Sequence, residues 1–224
     1  MARDEGLQDI PASTIDAIVA ANGLDTNAVC APFARQIAGD RFDFVVRYYR
    51  PDSVSGLSKD EARALVGAGL SLAVVFEGAT RAKPAHYGAA QGAKDAMAAL
   101  RQAERIGQPA GSAIYFAVDT DMLLDGVTNR AVPYFTAIRA VTDAAVVEYR
   151  VGVYGSGLVC ETLKRRDLVD FTWLSGRTGW IGHADYAGKA DLLQVLPEMR
   201  ICNGQLVVDR DYARAADFGQ FSLS

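Results

Sequence analysis

Cysteine is scarce in this chain: Cys30, Cys160 and Cys202 are spread over 224 residues. No C-x-x-C pair exists and the count is odd. Neither a disulfide framework nor a thiolate zinc site is expected, and the three read as buried, reduced thiols. Histidine is scarcer, with His86 and His183 alone and in no ligand spacing, so no metal and no cofactor are expected. Positive charge is not in excess: 23 Lys and Arg against 27 Asp and Glu give a net −4. That leaves no basic footprint for nucleic acid. No apolar run reaches the roughly 20 residues that cross a bilayer. Met1 to Ile10 is polar and charged, without the apolar core of a Sec signal. The expectation is a chain with no membrane partner, cytoplasmic as given or exported by a non-Sec or phage-type route. Repeats, low-complexity tracts and internal linkers are also missing, and nothing in the sequence sets the oligomeric state.

What is present is a rhythm of apolar strands and amphipathic helices. Half of the residues are hydrophobic by type, enough for one sizeable core. After a tail of residues 1–22, with a short helix from Ser13 or Thr14 through Ala21, a single barrel domain is expected over 23–224. Strands are predicted over 23–26, 42–49, 70–76, 112–118, 150–154 and 171–174, with helices over 28–38, 59–66, 83–105, 129–146 and 158–166 between them. Ser58 and Glu61 form a capping box before the second of these helices, and Pro84 suits the first turn of the third. After Leu174 the rhythm changes. The glycine-rich segment 176–190 shows no helix, and strands follow over 192–196 and 205–208. Five β/α units and three further strands with few helices predict an α/β fold, a TIM-type (β/α) barrel with parallel strands.

The run Ile114-Tyr115-Phe116-Ala117-Val118-Asp119-Thr120-Asp121 says most about function. It is a buried strand whose C-terminal end carries two carboxylates two positions apart, on one face if the strand continues. Asp25, Glu77, Asp119, Asp121, Asp209 and Asp211 all fall at or just after predicted strand ends, on four different strands. In such a barrel those ends form the active face. Crowded, buried carboxylates repel, so one should hold its proton near neutral pH, as a general acid for glycosidic cleavage must. Asp121 is the candidate general acid, Asp119 its neighbour, and Glu77 the other acid or base. Asp25, Asp209 and Asp211 are candidate substrate-binding groups. Arg47 and Tyr154, near the ends of their strands, are assigned to the same mouth, and Trp180 to stacking on a sugar ring. Helix capping by Asp25 or Asp121 is the structural alternative. A divalent cation held by the acids and a Ser156–His183 pair are weaker ones.

Several segments together resemble a known family. They are Gly23-Leu24-Asp25-Thr26-Asn27, Phe42 to Tyr49, Ala113 to Asp119, Arg150 to Gly157, Leu193-Gln194 and Val208-Asp209-Arg210-Asp211. This pattern resembles the glycoside-hydrolase-like family first catalogued as domain of unknown function 1906. That family is in turn similar to the lysozyme-type muramidases of glycoside hydrolase family 25. The resemblance implies a barrel of five β/α units plus three strands, and a polysaccharide substrate of peptidoglycan type. It assigns Asp25 to strand one, Asp119-Thr120-Asp121 to the Asp-x-Glu of strand four, Gln194 to strand seven as a substrate-binding residue, and Asp209 to strand eight. Asp121 stands where the muramidases carry Glu, and the aromatics that flank the strand-seven Gln are missing. The reading is a glycosidase-like hydrolase, with a catalytically degenerate carbohydrate-binding barrel as the alternative.

Overall fold

The computed structural model describes residues 19–51, 56–78 and 83–223. Eight strands close into a barrel in chain order: β1 (Ala21–Asp25), β2 (Phe44–Tyr49), β3 (Ser71–Phe76), β4 (Ala113–Ala117), β5 (Arg150–Gly155), β6 (Phe171–Leu174), β7 (Leu192–Ile201) and β8 (Leu206–Ala213). The expected α/β barrel is therefore the observed fold. β1 to β7 run parallel, each beside the next. β8 does not: it lies antiparallel to both β7 and β1. The all-parallel expectation fails here because only residues 202–205 join β7 to β8. Four residues make a hairpin, whereas a parallel return needs a crossover of a dozen or more.

This reversal brings the N-terminal half of β8 to the mouth. Asp209 pairs with Asp25 and Asp211 with Gly23. Both aspartates are inside β8, not beyond its end as the sequence reading had them. β7 is also longer than expected. A register shift between Val195 and Met199 lets its second half continue past the rim with the first residues of β8 as a two-stranded arm.

Helices fill the crossovers: α1 (Ala34–Gly39), α2 (Lys59–Gly67), α3 (Ala89–Ile106), α4 (Val132–Asp143) and α5 (Gly157–Lys164), with a single turn α6 (His183–Tyr186) after β6. Ser58 caps α2, its Oγ accepting from the Glu61 N–H at 3.1 Å. The Glu61 side chain does not complete the capping box, because Arg47 takes it. α3 begins at Ala89, after a 3-10 turn at Pro84–His86. α4 is entered through a π-helical turn, Val127–Ala131. α3 and α4 touch at Gly92, where any Cβ would lie 2.2 Å from the Tyr134 carbonyl oxygen. The helix expected over Ser13–Ala21 lies outside the described residues up to position 18, and Ala21 opens β1.

Two cores result. Phe44, Val46, Val75, Tyr115, Trp173 and Phe218 fill the barrel, with the Phe44 and Phe218 rings 4.7 Å apart. A second layer packs the outer faces of the strands against the helices. The two-residue period of β2 divides it between them: Phe44, Val46 and Tyr48 point in, Val45 and Tyr49 point out. The three cysteines are buried and free. No helix among the described residues is long and apolar enough to cross a membrane.

Candidate active site

The barrel interior is mostly apolar and becomes polar toward the C-terminal ends of the parallel strands. There a pocket of ≈ 180 Å³ opens at the C-terminal ends of the parallel strands. Its walls include Tyr48, Glu77, Asp119, Tyr154, Gln194 and Asp209, with Trp173 below and Arg177 and Glu198 at the lip. A smaller recess beside it is walled by Asp25 and Asn27 and shares Tyr48, Glu198 and Asp209 with the pocket.

Gln194 organises this mouth. Its Nε2 donates to Asp25 Oδ2 at 2.8 Å and to Asp209 Oδ2 at 3.1 Å. Its Oε1 accepts from the Tyr154 hydroxyl at 2.9 Å and from the Gly176 N–H at 3.2 Å. All four hydrogen-bonding positions of the amide are thus used, which fixes its orientation. The Tyr48 hydroxyl donates to Asp25 Oδ1 at 2.9 Å, and the Tyr154 hydroxyl also meets Ser175 Oγ at 2.8 Å. One layer below, Trp173 Nε1 donates to Asp211 Oδ1 at 2.9 Å.

The acids are crowded and short of water. Burial pushes the Asp25 carboxyl up to about 6, against the hydrogen bonds from Gln194 and Tyr48. Asp209 is pushed up to about 7, by burial first and then by the charges of Asp25 and Glu198. Its Oδ1 is buried without a partner among the described residues. Asp211 is raised well above the carboxylate range, again chiefly by burial. Glu77 is raised by burial, although the Arg50 guanidinium 2.5 Å away opposes the shift. Groups of this kind can hold a proton near neutral pH and release it to a reacting atom.

Of the residues expected at the mouth, Glu77, Asp119, Tyr154, Gln194 and Asp209 line the pocket, and Asp25 lines the recess. Four others do not line it. Arg47 is a correction: it points out of the barrel, wholly buried, with Nε 2.9 Å from Glu61 Oε1 and Nη1 on the Thr26 carbonyl. It sits one residue out of phase with the inward set on β2, so no sugar can reach it. Asp211 is 0 % exposed and can touch substrate only through its neighbours. Asp121 faces the β6–α6 loop, where its oxygens accept from the Ile181 N–H at 3.2 and 3.3 Å. β4 ends at Ala117, so the two-residue period that would keep Asp121 beside Asp119 has stopped before it. Trp180 stands outside the pocket, its ring 5.5 Å from the Arg177 guanidinium. Ser156 is buried as the N-cap of α5, accepting from the Val159 N–H, and is no nucleophile. Tyr48, Arg177 and Glu198 also line the pocket, although no motif assigns them to it. The alternation on β2 was a signal for Tyr48. Nothing local marked the other two, which reach the lip from a loop and from the β7–β8 arm.

With this geometry in place, comparison with known proteins is informative. The profile of the Rv2525c-like, glycoside hydrolase-like domain matches residues 35–213. The chain belongs to this family. Among curated relatives, an uncharacterized protein of Bacillus subtilis strain 168, YbfG, is 27% identical over 203 residues, which is 81% of this chain and 27% of YbfG. The chain therefore spans about a quarter of the length of that relative. The Tat-secreted protein Rv2525c of Mycobacterium tuberculosis, solved with L-tartrate, has the same fold, with TM-score 0.73 and 24% identity over 89% of this chain and 98% of that one. A family 25 glycosyl hydrolase from Bacillus anthracis aligns with TM-score 0.51 and 12% identity, covering 87% of this chain and 89% of the other. The modular autolysin LytC of Streptococcus pneumoniae, solved with a synthetic peptidoglycan ligand, aligns with TM-score 0.58 and 13% identity, covering 86% and 46%. The family assignment and the likeness to family 25 barrels are those expected from the motifs.

Proposed function

We propose that this barrel is a glycoside hydrolase acting on bacterial cell-wall polysaccharide by carboxylate acid/base catalysis. The observation that carries the reading is Asp209: one oxygen is held by Gln194, the other is unpartnered, and burial keeps the group protonated up to about pH 7 at the pocket wall. That is the state a proton donor to a glycosidic oxygen requires. The role of general acid accordingly moves from Asp121 to Asp209. Glu77, braced by Arg50, supplies the second carboxylate. Asp119 adds negative charge facing the cationic transition state. The peptidoglycan ligand of LytC supports the substrate class, and the Tat secretion of Rv2525c supports a non-Sec export route.

Turnover of purified cell walls, with mass analysis of the released fragments, tests this. Asp209→Asn should lower kcat by about 10²–10⁴-fold, the usual contribution of a general acid. Wild-type kcat/KM should fall as pH rises through about 7, as Asp209 loses its proton. A second reading, a binding barrel without turnover, is favoured by one observation: Asp121, at the position of the muramidase Glu, is tethered to the Ile181 backbone. Saturable binding of glycan fragments that the wild type leaves uncut would select that reading and reject the first.

A further inference from the structure

Beneath the pocket two carboxyl groups meet. Asp25 on β1 and Asp211 on β8 are diagonal neighbours on antiparallel strands, since Asp211 pairs with Gly23, and both point into the barrel. Asp25 is 3 % exposed and Asp211 0 %, and two ionised carboxylates held side by side out of water repel, with no proton for either to share, so the pair is satisfied when one of them is an acid. The other partners decide which. Asp25 already accepts on both oxygens, from Tyr48 on Oδ1 and Gln194 on Oδ2. Asp211 accepts on Oδ1 from Trp173, and its buried Oδ2 receives no donor from any described residue. A proton on Asp25 would compete with one of its two donors. A proton on Asp211 Oδ2 turns an unsatisfied buried atom into the missing donor.

We propose that Asp211 is a carboxylic acid at neutral pH and a positioning residue, donating from Oδ2 to hold the Asp25 carboxylate beneath the pocket. The charged and titratable groups around the pair agree. Asp209 beside them and Glu198 above add negative charge, Tyr48 is a neutral donor, and Arg177 acts on Asp209 from the lip. Neither Asp25 nor Asp211 forms a salt bridge among the described residues. Burial is the first cause that raises both carboxyls, so the pair as a whole resists ionisation, and the hydrogen-bond pattern places the proton. The consequence for turnover, a preorganised anion under the sugar, rests on the glycoside hydrolase reading. The location of the proton does not.

The test needs no glycan. The full chain, labelled with carbon-13 at aspartate side-chain carboxyls, is titrated by NMR. At pH 8, above the titration of Asp25 and Asp209, one aspartate signal should remain protonated. It should vanish in Asp211→Asn and persist in Asp209→Asn. The Asn amide can still donate to Asp25 and accept from Trp173, so the Asp25 midpoint should stay near that of the wild type. In Asp211→Ala the donor is lost and the Asp25 midpoint should rise. No protonated aspartate at pH 8, or one that survives Asp211→Asn, overturns the assignment. An unmoved Asp25 midpoint in folded Asp211→Ala overturns the positioning role. If the alanine variant does not fold, the asparagine variant alone decides.

Discussion

Asp25→Asn should change how the stability of this fold depends on pH. In the unfolded chain the Asp25 carboxyl titrates at its ordinary value of 3.8, and in the folded barrel at about 6. Between those pH values the folded state holds more protons at Asp25 than the unfolded one, so the contribution of this group to stability falls as pH rises through the window and is level above it. A shift of about two units, at 1.36 kcal/mol per unit, amounts to ~3 kcal/mol. Asp209 acts in the same direction, but it is only half-buried, so water screens its share. Urea unfolding at 25 °C between pH 4 and pH 8 measures the effect. The wild type should lose ~3 kcal/mol or more from the mouth over this range, and Asp25→Asn should lose about that much less. The variant also places an amide N–H₂ where Tyr48 or Gln194 now finds an acceptor. That mismatch costs about 1–3 kcal/mol at every pH, so the difference in slope is the signature and the absolute stability is not. Parallel stability–pH curves for the two proteins would refute the reasoning, because they would mean that Asp25 is not desolvated in the folded state.

Arg47→Met should destabilise by about 3–5 kcal/mol, since it leaves the Glu61 carboxylate buried without its partner. The urea midpoint reads this loss, and an unchanged KM in the remaining folded protein separates it from substrate binding. Gly92→Ala should cost about 1–3 kcal/mol by forcing α3 away from the Tyr134 carbonyl, with a lowered thermal midpoint as the readout; a neutral result would mean that the two helices do not approach so closely.

The two carboxyls at Asp25 and Asp211 make the mouth costly to fold around. Each charge removed from water lowers stability, and the hydrogen bonds of Gln194, Tyr48 and Trp173 offset only part of that cost. The apolar interior below, from Phe44 to Phe218, carries the fold, while the layer above it carries the chemistry. This division is the usual one between a packed barrel core and a reactive rim.

Local pattern was enough for the barrel and for most of its rim. Strand–helix alternation up to Leu174 follows from apolar periodicity, and short-range physics governs it, so it can be read residue by residue. Asp25, Glu77 and Asp119 were found because a parallel strand delivers its C-terminal residue to the mouth wherever it lies in the chain, and Gln194 came from the family resemblance. Phase and direction could not be read the same way. Arg47 lies next to inward-facing Val46 and Tyr48, and only the closed sheet shows that it faces Glu61 instead of the cavity. The reversal of β8 depends on a four-residue hairpin, and that reversal brings Asp209 to the wall and sinks Asp211 below it. Arg177 and Glu198 reach the lip through a loop and a strand arm whose course is set by packing at long range. Sequence alone determined which residues are strand, helix and acid. Tertiary structure decided which acids lose their water, because desolvation depends on neighbours that are distant along the chain.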